Sequence, residues 1–151
     1  MARLERLVIH CTATPEGREV SGAEIRRWHT DPVSLGGRGW RQVGYSYLFH
    51  LNGGVEELVP VNDDDTIDPW EVTNGAVGFN STSIHICYVG GIDRHGHPAD
   101  TRTPSQRQSM SRWVRRFRNR HPDVKIVGHC ELNPHKACPS FDVKEWLKGV
   151  V

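Results

Sequence analysis

The sequence lacks any long hydrophobic run. No apolar segment approaches the roughly 20 residues that a helix needs to span a bilayer. The chain starts with the charged segment MARLER and leads directly into a strand-like run, without the apolar region and cleavage site of a secretory signal. We therefore expect no membrane segment, and we expect the protein to be made and kept in the cytoplasm unless something else exports it.

The sequence also has little net charge. Its 19 basic and 18 acidic residues give a formal net charge of +1, so it lacks the overall positive charge that is typical of a nucleic-acid-binding domain. We expect no nucleic-acid partner. The charge is uneven only locally, and we interpret both local clusters as solvated faces. The acidic cluster is Asp63, Asp64, Asp65 and Asp68, and the basic one is Arg107, Arg112, Arg115, Arg116, Arg118 and Arg120.

Cysteine is scarce, with four residues in a chain of 151. Four thiols would allow two disulfides in a secreted protein, but without a signal sequence metal binding or burial is favoured. Cys11 and Cys87 lie in apolar, strand-like runs, and we predict that both are buried free thiols. Cys130 and Cys138 lie instead in a polar segment that is rich in reactive side chains.

No repeat, low-complexity tract or linker divides the chain, so we predict one domain over residues 1–151. Apolar runs predict five strands, and the Asn-Gly-Gly sequence at residues 52–54 predicts a hairpin turn. These strands are residues 4–11, 43–51, 55–61, 84–89 and 125–128. The alternation of strands and helices favours a mixed α/β fold, with a central mixed β-sheet flanked by helices.

Three helix starts carry a capping signal, in which Ser, Thr or Asp precedes Glu or Gln by three residues. The pairs are Ser21 with Glu24, Thr103 with Gln106, and Asp142 with Glu145. Helical spacing predicts apolar inner faces on the first two helices. These faces are Ile25, Trp28 and His29 on the first helix, and Met110, Trp113, Val114 and Phe117 on the second.

The polar segment 62–83 is long for a loop in a compact domain, and such loops often form the wall of a binding groove. It contains few apolar side chains. We predict that Trp70, Val77 and Phe79 hold this segment against the rest of the molecule.

Residues 128–142 concentrate two imidazoles, two thiols and a lysine. Neutral imidazole and thiolate are ligands that zinc prefers. The candidate ligands are His129, Cys130, His135 and Cys138, together with His10 at the end of the first apolar run. We hypothesise that His10, His129 and Cys138 hold one zinc ion and leave its fourth position open for water. In the alternative, Cys130 or His135 is a fourth ligand and closes a structural site.

An open zinc site would have catalytic partners nearby. Zinc with three protein ligands lowers the pKa of bound water to about 7, which supplies a nucleophile for amide hydrolysis. Lys136 lies two residues before Cys138, and its ammonium group is suited to stabilise a developing oxyanion. Tyr45 follows a glycine in a strand-like run and is suited to orient that water or to transfer its proton.

Several short motifs occur in a fixed order along the chain. They are residues 8–14 (VIHCTAT), 25–29 (IRRWH), 43–45 (VGY), 78–80 (GFN) with 83–84 (SI), 89–93 (VGGID) and 136–142 (KACPSFD). Together they resemble zinc-dependent N-acetylmuramoyl-L-alanine amidases of the type-2 amidase and peptidoglycan-recognition family. The similarity is greatest to the bacteriophage lysozyme-type amidases, and it extends over nearly the whole chain.

The resemblance implies that His10, His129 and Cys138 are the zinc ligands and that Tyr45 and Lys136 are catalytic. It implies a zinc ion at the bottom of a surface groove, within a mixed sheet flanked by helices. The implied substrate is peptidoglycan, cleaved at the amide between N-acetylmuramic acid and the L-alanine of the stem peptide. Such an enzyme would lyse cell walls as a phage or prophage endolysin does, after release or delivery.

The chain departs from the family pattern at Gly75, where many relatives carry a histidine. Any contact made by that histidine must be absent here or supplied by another residue. We assign Asn80 and His135 as candidate substrate-binding residues, with His135 outside the ligand shell of the metal. His29, His50 and His85 are assigned to structural roles, because each lies among apolar neighbours in an element.

Other functions are compatible with the same residues. A relative that has lost its cysteine ligand would only bind peptidoglycan, but Tyr45, Lys136 and Cys138 are all present here. A delivered antibacterial amidase toxin would have the same site. The arginine-rich face of residues 105–120 would allow a second role in binding a phage RNA polymerase. We expect a monomer, and the sequence leaves open whether the stem peptide is of the lysine or the diaminopimelate type.

Overall fold

Nine strands occur in the computed structural model, which describes residues 1–150. In chain order they are β1 (Ala2–Arg3), β2 (Arg6–Cys11), β3 (Thr14–Pro15), β4 (Tyr47–Phe49), β5 (Val55–Glu57), β6 (Thr66–Ile67), β7 (Ser83–Tyr88), β8 (Gly91–Ile92) and β9 (Lys125–Gly128). The prediction of one domain over residues 1–151 includes Val151, which lies outside the described residues.

The central sheet has the strand order β5-β4-β7-β2-β9. Its three inner pairings, β4 with β7, β7 with β2 and β2 with β9, are parallel, and the β4–β5 hairpin is antiparallel. Two small sheets lie beside it, with β1 antiparallel to β6 and β3 parallel to β8. This mixed sheet, flanked by helices, confirms the predicted fold class.

Within the described residues, four α-helices accompany the sheet. They are α1 (Gly22–Thr30), α2 (Pro104–Arg120), α3 (His129–Leu132) and α4 (Val143–Leu147). Ser21 and Thr103 form the predicted capping boxes with Glu24 and Gln106, and the carboxylate of Asp142 accepts a hydrogen bond from the backbone N–H of Glu145. Within residues 1–150, none of the helices combines the length and apolarity needed to cross a membrane.

The sheet separates two hydrophobic clusters. On one face, α2 packs Met110, Val114 and Phe117 against β-strand residues that include Ile9 and Tyr88. On the other face, α1 packs against a smaller cluster, with Ile25 in contact with apolar residues of the sheet and the neighbouring loops. Cys11 and Cys87 are buried and free, as predicted. The side chain of Trp113 is only partly buried at the edge of the larger cluster.

Two predicted strands are shorter in the structure, and one helix was not predicted. The strand predicted at 43–51 is confined to β4. Just before β4, the backbone N–H of Ser46 donates to the carbonyl of His85. The carbonyl of Ser46 accepts from the backbone N–H groups of Leu58 and Val59, so this segment bonds outside the regular pairing of the hairpin. The strand predicted at 55–61 ends at Glu57. Helix α3 was not predicted, because its single turn is too short to show an apolar period.

The predicted anchors of segment 62–83 were partly wrong. Trp70 is 54% exposed and Val77 is 94% exposed, so neither holds the segment in place. The buried carboxylate of Glu71 does so instead, by accepting hydrogen bonds from the backbone N–H groups of Asn62 and Asp68. Trp28, predicted to face the core, is 36% exposed.

Gln106 links the start of α2 to the central sheet. Its fully buried side-chain amide donates to the carbonyl oxygens of Phe49 (3.1 Å) and Val89 (2.9 Å), at the ends of two neighbouring strands. The carbonyl of Phe49 also accepts from the backbone N–H of Val89, so Gln106 matters most for the carbonyl of Val89. A buried acceptor without a partner is costly.

We expect Gln106→Leu to lower the free energy of unfolding by roughly 1–3 kcal/mol, because the buried carbonyl of Val89 loses its donor and that of Phe49 keeps only the backbone N–H of Val89. Urea unfolding at pH 7 measures the change. Gln108→Leu, on the exposed face of the same helix, is the matched control and should change stability much less. Equal losses in the two variants would contradict this role for Gln106.

Candidate active site

The parallel pairing of β2 and β9 brings two histidines together. Ile9 lies opposite Gly128 in the register of the two strands. The residues that follow them, His10 and His129, are therefore neighbours at the same edge of the sheet. Their ring centroids are 4.7 Å apart. His129 is the first residue of α3, whose start is held by a hydrogen bond from the backbone N–H of Gly128 to the carboxylate of Glu131.

Three hydrogen bonds return the following loop to this edge. The backbone N–H of Cys130 donates to the carbonyl of Cys138 (2.8 Å), and the hydroxyl of Tyr88 donates to the carbonyl of Pro139 (2.6 Å). The backbone N–H of Cys11 donates to Sγ of Cys138 (3.2 Å). A backbone donor stabilises negative charge on the sulfur, which favours the thiolate form that binds metals.

The side chains of His10, His129 and Cys138 form a cluster that is suited to a metal ion. One ligand atom from each lies within 4.8 Å of the others. Nδ1 of His10 is 3.7 Å from Sγ of Cys138, and a nitrogen and a sulfur ligand on one tetrahedral zinc ion are separated by about 3.6 Å. Neither Cys130 nor His135, the fourth ligands considered for a closed structural site, belongs to this cluster.

Burial sets the protonation of the cluster. It lowers the pKa of His10 well below its ordinary value, with further lowering by His85 and His129. Burial and the nearby Lys136 lower the pKa of His129. Both imidazoles are therefore neutral at pH 7, the form that binds a metal. The neighbouring Cys11 thiol and burial raise the pKa of Cys138, so a cation in the cluster would have to displace the thiol proton.

The cluster lies in the floor of a groove of about 430 Å³. The floor also contains Tyr45, whose ring centroid is 5.1 Å from that of His10. Burial raises the pKa of Tyr45 well above its ordinary value, so its hydroxyl keeps its proton and is a hydrogen-bond donor. Lys136 lies among the lining residues and is exposed.

Aromatic and apolar side chains line the groove beside the cluster. They include Trp28 and Trp40, with the guanidinium of Arg38 5.1 Å from the centroid of the Trp40 ring. Val77 and Phe79 also belong to this lining. The described residues that line the groove include no carboxylate. The exposed Val77 and Trp28 thus belong to the groove, which explains why neither packs into the core.

A larger cavity, of about 540 Å³, opens near the other ends of β2 and β9. It is lined by residues that include Arg6 and Lys125, the first residues of those strands. None of the sequence-predicted site residues lines it, so its size does not mark it as the reactive site.

The two predicted substrate-binding residues, Asn80 and His135, are not among the residues that line the groove. Oδ1 of Asn80 accepts from the backbone N–H of Ala76 (2.9 Å) and lies 3.0 Å from Nε2 of His85, so it is engaged inside the fold. His135 is exposed and does not line the groove. Substrate binding by Asn80 and His135 stays a prediction.

The three histidines that were assigned to structural roles are held by specific partners. Nδ1 of His29 accepts from the backbone N–H of Gly44 (2.9 Å), and His50 lies between the carboxylates of Glu19 and Glu56. His85 is fully buried, with Nδ1 2.8 Å from Nε2 of His10.

Sequence reasoning missed the contact between His85 and His10. Its only signal was a histidine that interrupts a continuous apolar run. In the sheet register, Cys87 lies opposite His10, and His85 lies two residues before Cys87 on the same face. The sequence does not contain this register, so the contact was not predicted.

Comparison with known proteins identifies relatives along nearly the whole chain. A family model described as N-acetylmuramoyl-L-alanine amidase matches residues 1–141. The chain is similar to the endolysin of Enterobacteria phage K11, with 36% identity over 140 residues that cover 93% of this chain and 83% of the phage protein. It is also similar to the endolysin of Escherichia phage T7, with 34% identity over 142 residues that cover 94% and 84% of the two chains.

Solved structures share the fold. The Ph2119 endolysin from Thermus scotoductus MAT2119 bacteriophage Ph2119 superposes with a TM-score of 0.74 at 23% sequence identity. The match covers 98% of this chain and 85% of that chain. The arrangement of the sheet and helices is therefore one that an experimentally determined protein also adopts.

The environment of His29 predicts a pH-dependent stability. Burial, together with Arg38, lowers the pKa of His29 from 6.5 to about 4. The unfolded chain takes up this proton at the ordinary pKa, so the free energy of unfolding should fall as the pH falls from 6.5 towards 4. Urea unfolding at pH 7 and pH 5, with a chelator present, measures this loss.

His29→Asn is the matched variant, because its side-chain oxygen can still accept from the backbone N–H of Gly44 but cannot take up a proton. We expect its stability to depend less steeply on pH. The same dependence in both proteins would show that His29 does not contribute.

Proposed function

Because the chain belongs to the N-acetylmuramoyl-L-alanine amidase family, we propose that it hydrolyses peptidoglycan with one catalytic zinc ion held by His10, His129 and Cys138. The bond cleaved is the amide between N-acetylmuramic acid and the L-alanine of the stem peptide. The observation that carries this proposal is the convergence of the three ligand atoms in the floor of the groove.

The chemistry of the donor set supports zinc. Two neutral imidazoles and a thiolate are the ligands of known zinc sites, whereas magnesium and calcium take oxygen ligands. A set of three protein ligands is typical of catalytic zinc, since it leaves one coordination position open. A zinc ion held by these residues would supply a Lewis acid that polarises the substrate carbonyl and lowers the pKa of water.

The side chains around the cluster have distinct roles in the proposed reaction. The neutral Tyr45 hydroxyl donates a hydrogen bond in the floor of the groove and orients water or the substrate there. The Lys136 ammonium stabilises the negative charge that develops on the carbonyl oxygen of the scissile amide. The side chains of Trp28, Trp40 and Phe79, which line the groove, cover the apolar faces of the glycan and the peptide.

The relatives named endolysins support lysis of the cell wall as the biological role. We propose that the protein acts on the wall after release or delivery, as a monomer with one amidase domain over residues 1–151. A delivered antibacterial toxin would use the same site. A module that only binds peptidoglycan is less well supported, because the ligand cysteine and both catalytic candidates are present. No observation favours a role in binding RNA polymerase.

Mass spectrometry of digested bacterial sacculi tests the proposed reaction. We expect the zinc-loaded protein to release stem peptides that begin with L-alanine, and the masses also identify the third residue of the stem. Cys138→Ser should lose zinc at neutral pH and lose this product, because a serine hydroxyl is a poor zinc ligand.

Cys130→Ser is the matched control, because Cys130 lies outside the ligand cluster. It should keep both zinc and activity. Release of glycan fragments in which the stem peptides are still attached to N-acetylmuramic acid would refute the amidase assignment. Unfolding of the wild-type protein on removal of zinc by a chelator would instead favour a structural metal.

Lys136→Ala should keep the bound zinc but lower kcat by about 10²–10³-fold, since one donor to a developing oxyanion is removed. Zinc content by atomic absorption and turnover on muramyl-peptide substrate measure the two effects separately. Lys144→Ala, an exposed lysine on α4, should leave turnover unchanged. Full activity in the Lys136 variant would exclude that residue from the mechanism.

A further inference from the structure

A chain of four polar groups leads from the backbone to the metal cluster. The backbone N–H of Ala76 is 2.9 Å from Oδ1 of Asn80, and the same Oδ1 is 3.0 Å from Nε2 of His85. Nδ1 of His85 is 2.8 Å from Nε2 of His10. Nδ1 of His10 faces Sγ of Cys138 at 3.7 Å. His10 and His85 are nearly or fully buried, so the contact between their two rings is shielded from water.

The hydrogen-bonding capacity of each group determines the direction of the chain. Oδ1 of Asn80 can only accept, so Nε2 of His85 must carry the proton and donate to it. In a neutral imidazole the other nitrogen then has a lone pair, and Nδ1 of His85 accepts from Nε2 of His10. His10 in turn has its lone pair on Nδ1, the atom that faces Cys138.

Gly75 provides the space that this arrangement needs. A Cβ atom at residue 75 would lie 2.5 Å from Nδ1 of His85 and 2.6 Å from its Cγ. The imidazole of His85 therefore occupies the volume that any side chain at residue 75 would require. This gives a physical reason for the glycine at the position where the chain departs from the family pattern.

We propose that His85 is a positioning residue for the metal centre: held by Asn80, it fixes the tautomer and ring orientation of His10 and directs the Nδ1 lone pair of His10 to the metal position. The inference deepens the proposed function, since it rests on His10 being a zinc ligand. It adds a residue outside the ligand set and assigns Asn80 to the same chain of hydrogen bonds. Partners of this kind commonly orient metal-binding histidines.

The test compares two substitutions of similar size at residue 85. His85→Leu removes the acceptor and leaves the Nε2 proton of His10 without a partner. His85→Asn keeps an acceptor, because its Oδ1 is attached at the same bond separation from Cβ as Nδ1 of histidine. Zinc affinity is measured by competition with a chromophoric chelator. We expect His85→Leu to weaken zinc binding by about 10–100-fold, and His85→Asn to recover most of this loss.

A second measurement does not depend on zinc or on catalysis. Nitrogen-15 NMR of the imidazoles in zinc-free protein at neutral pH reports which ring nitrogen of His10 carries the proton. We expect the proton on Nε2 in the wild type and in His85→Asn, and a mixture of tautomers in His85→Leu. Because this readout uses metal-free protein, its result stands even if the wild type lacks amidase activity.

His121→Leu is the control for the loss of a buried imidazole. His121 is 4% exposed and pairs with Asp65, away from the groove. The His121→Leu variant should be less stable, but its zinc affinity and the tautomer of His10 should be unchanged. The proposal is overturned if the wild-type proton of His10 lies on Nδ1. It is also overturned if His85→Leu leaves both the tautomer and zinc affinity unchanged, or if His121→Leu weakens zinc binding to the same extent.

Discussion

The parallel pairing of β2 with β9 is the constraint on which the active site depends. Because Ile9 and Gly128 are opposite one another, His10 and His129 leave the sheet at the same edge. An antiparallel pairing would send the ends of the two strands to opposite edges. The loop after α3 then needs only to return to this edge, and the backbone bond between Cys130 and Cys138 closes it there. The position of the reactive cluster thus follows from the order of the central strands.

The polar groups at this edge are buried at a cost that hydrogen bonds between them offset. His10 is hydrogen-bonded to His85, and His85 is hydrogen-bonded to Asn80. The sulfur of Cys138 accepts a hydrogen bond from the backbone N–H of Cys11. Burial also keeps the imidazoles neutral, so their lone pairs remain available to a metal ion. The groove above contributes cationic and aromatic side chains and no carboxylate among its described lining residues. Such a lining suits a substrate that carries negative charge and apolar faces.

Local signals in the sequence predicted local structure well. The capping boxes at Ser21 and Thr103 were correct, because a cap is made by residues three positions apart. Predictions that depended on distant partners were less accurate. The strand predicted at 43–51 is shorter because Ser46 bonds to residues of β7 and the segment after β5. Trp28 and Val77 are apolar but line the groove, and apolarity alone does not distinguish a core position from the wall of a binding site.

The sequence by itself determined the chemistry that is present: the imidazoles and thiols of the candidate ligand set, the ordered motifs of the family and the helix starts. Each of these depends on residue type and short spacing. Only the tertiary structure decided which of the five candidate ligands converge, and that His85 contacts His10. Those contacts join residues 75 and 128 positions apart, and their geometry depends on strand register and loop closure, which no local pattern of residues specifies.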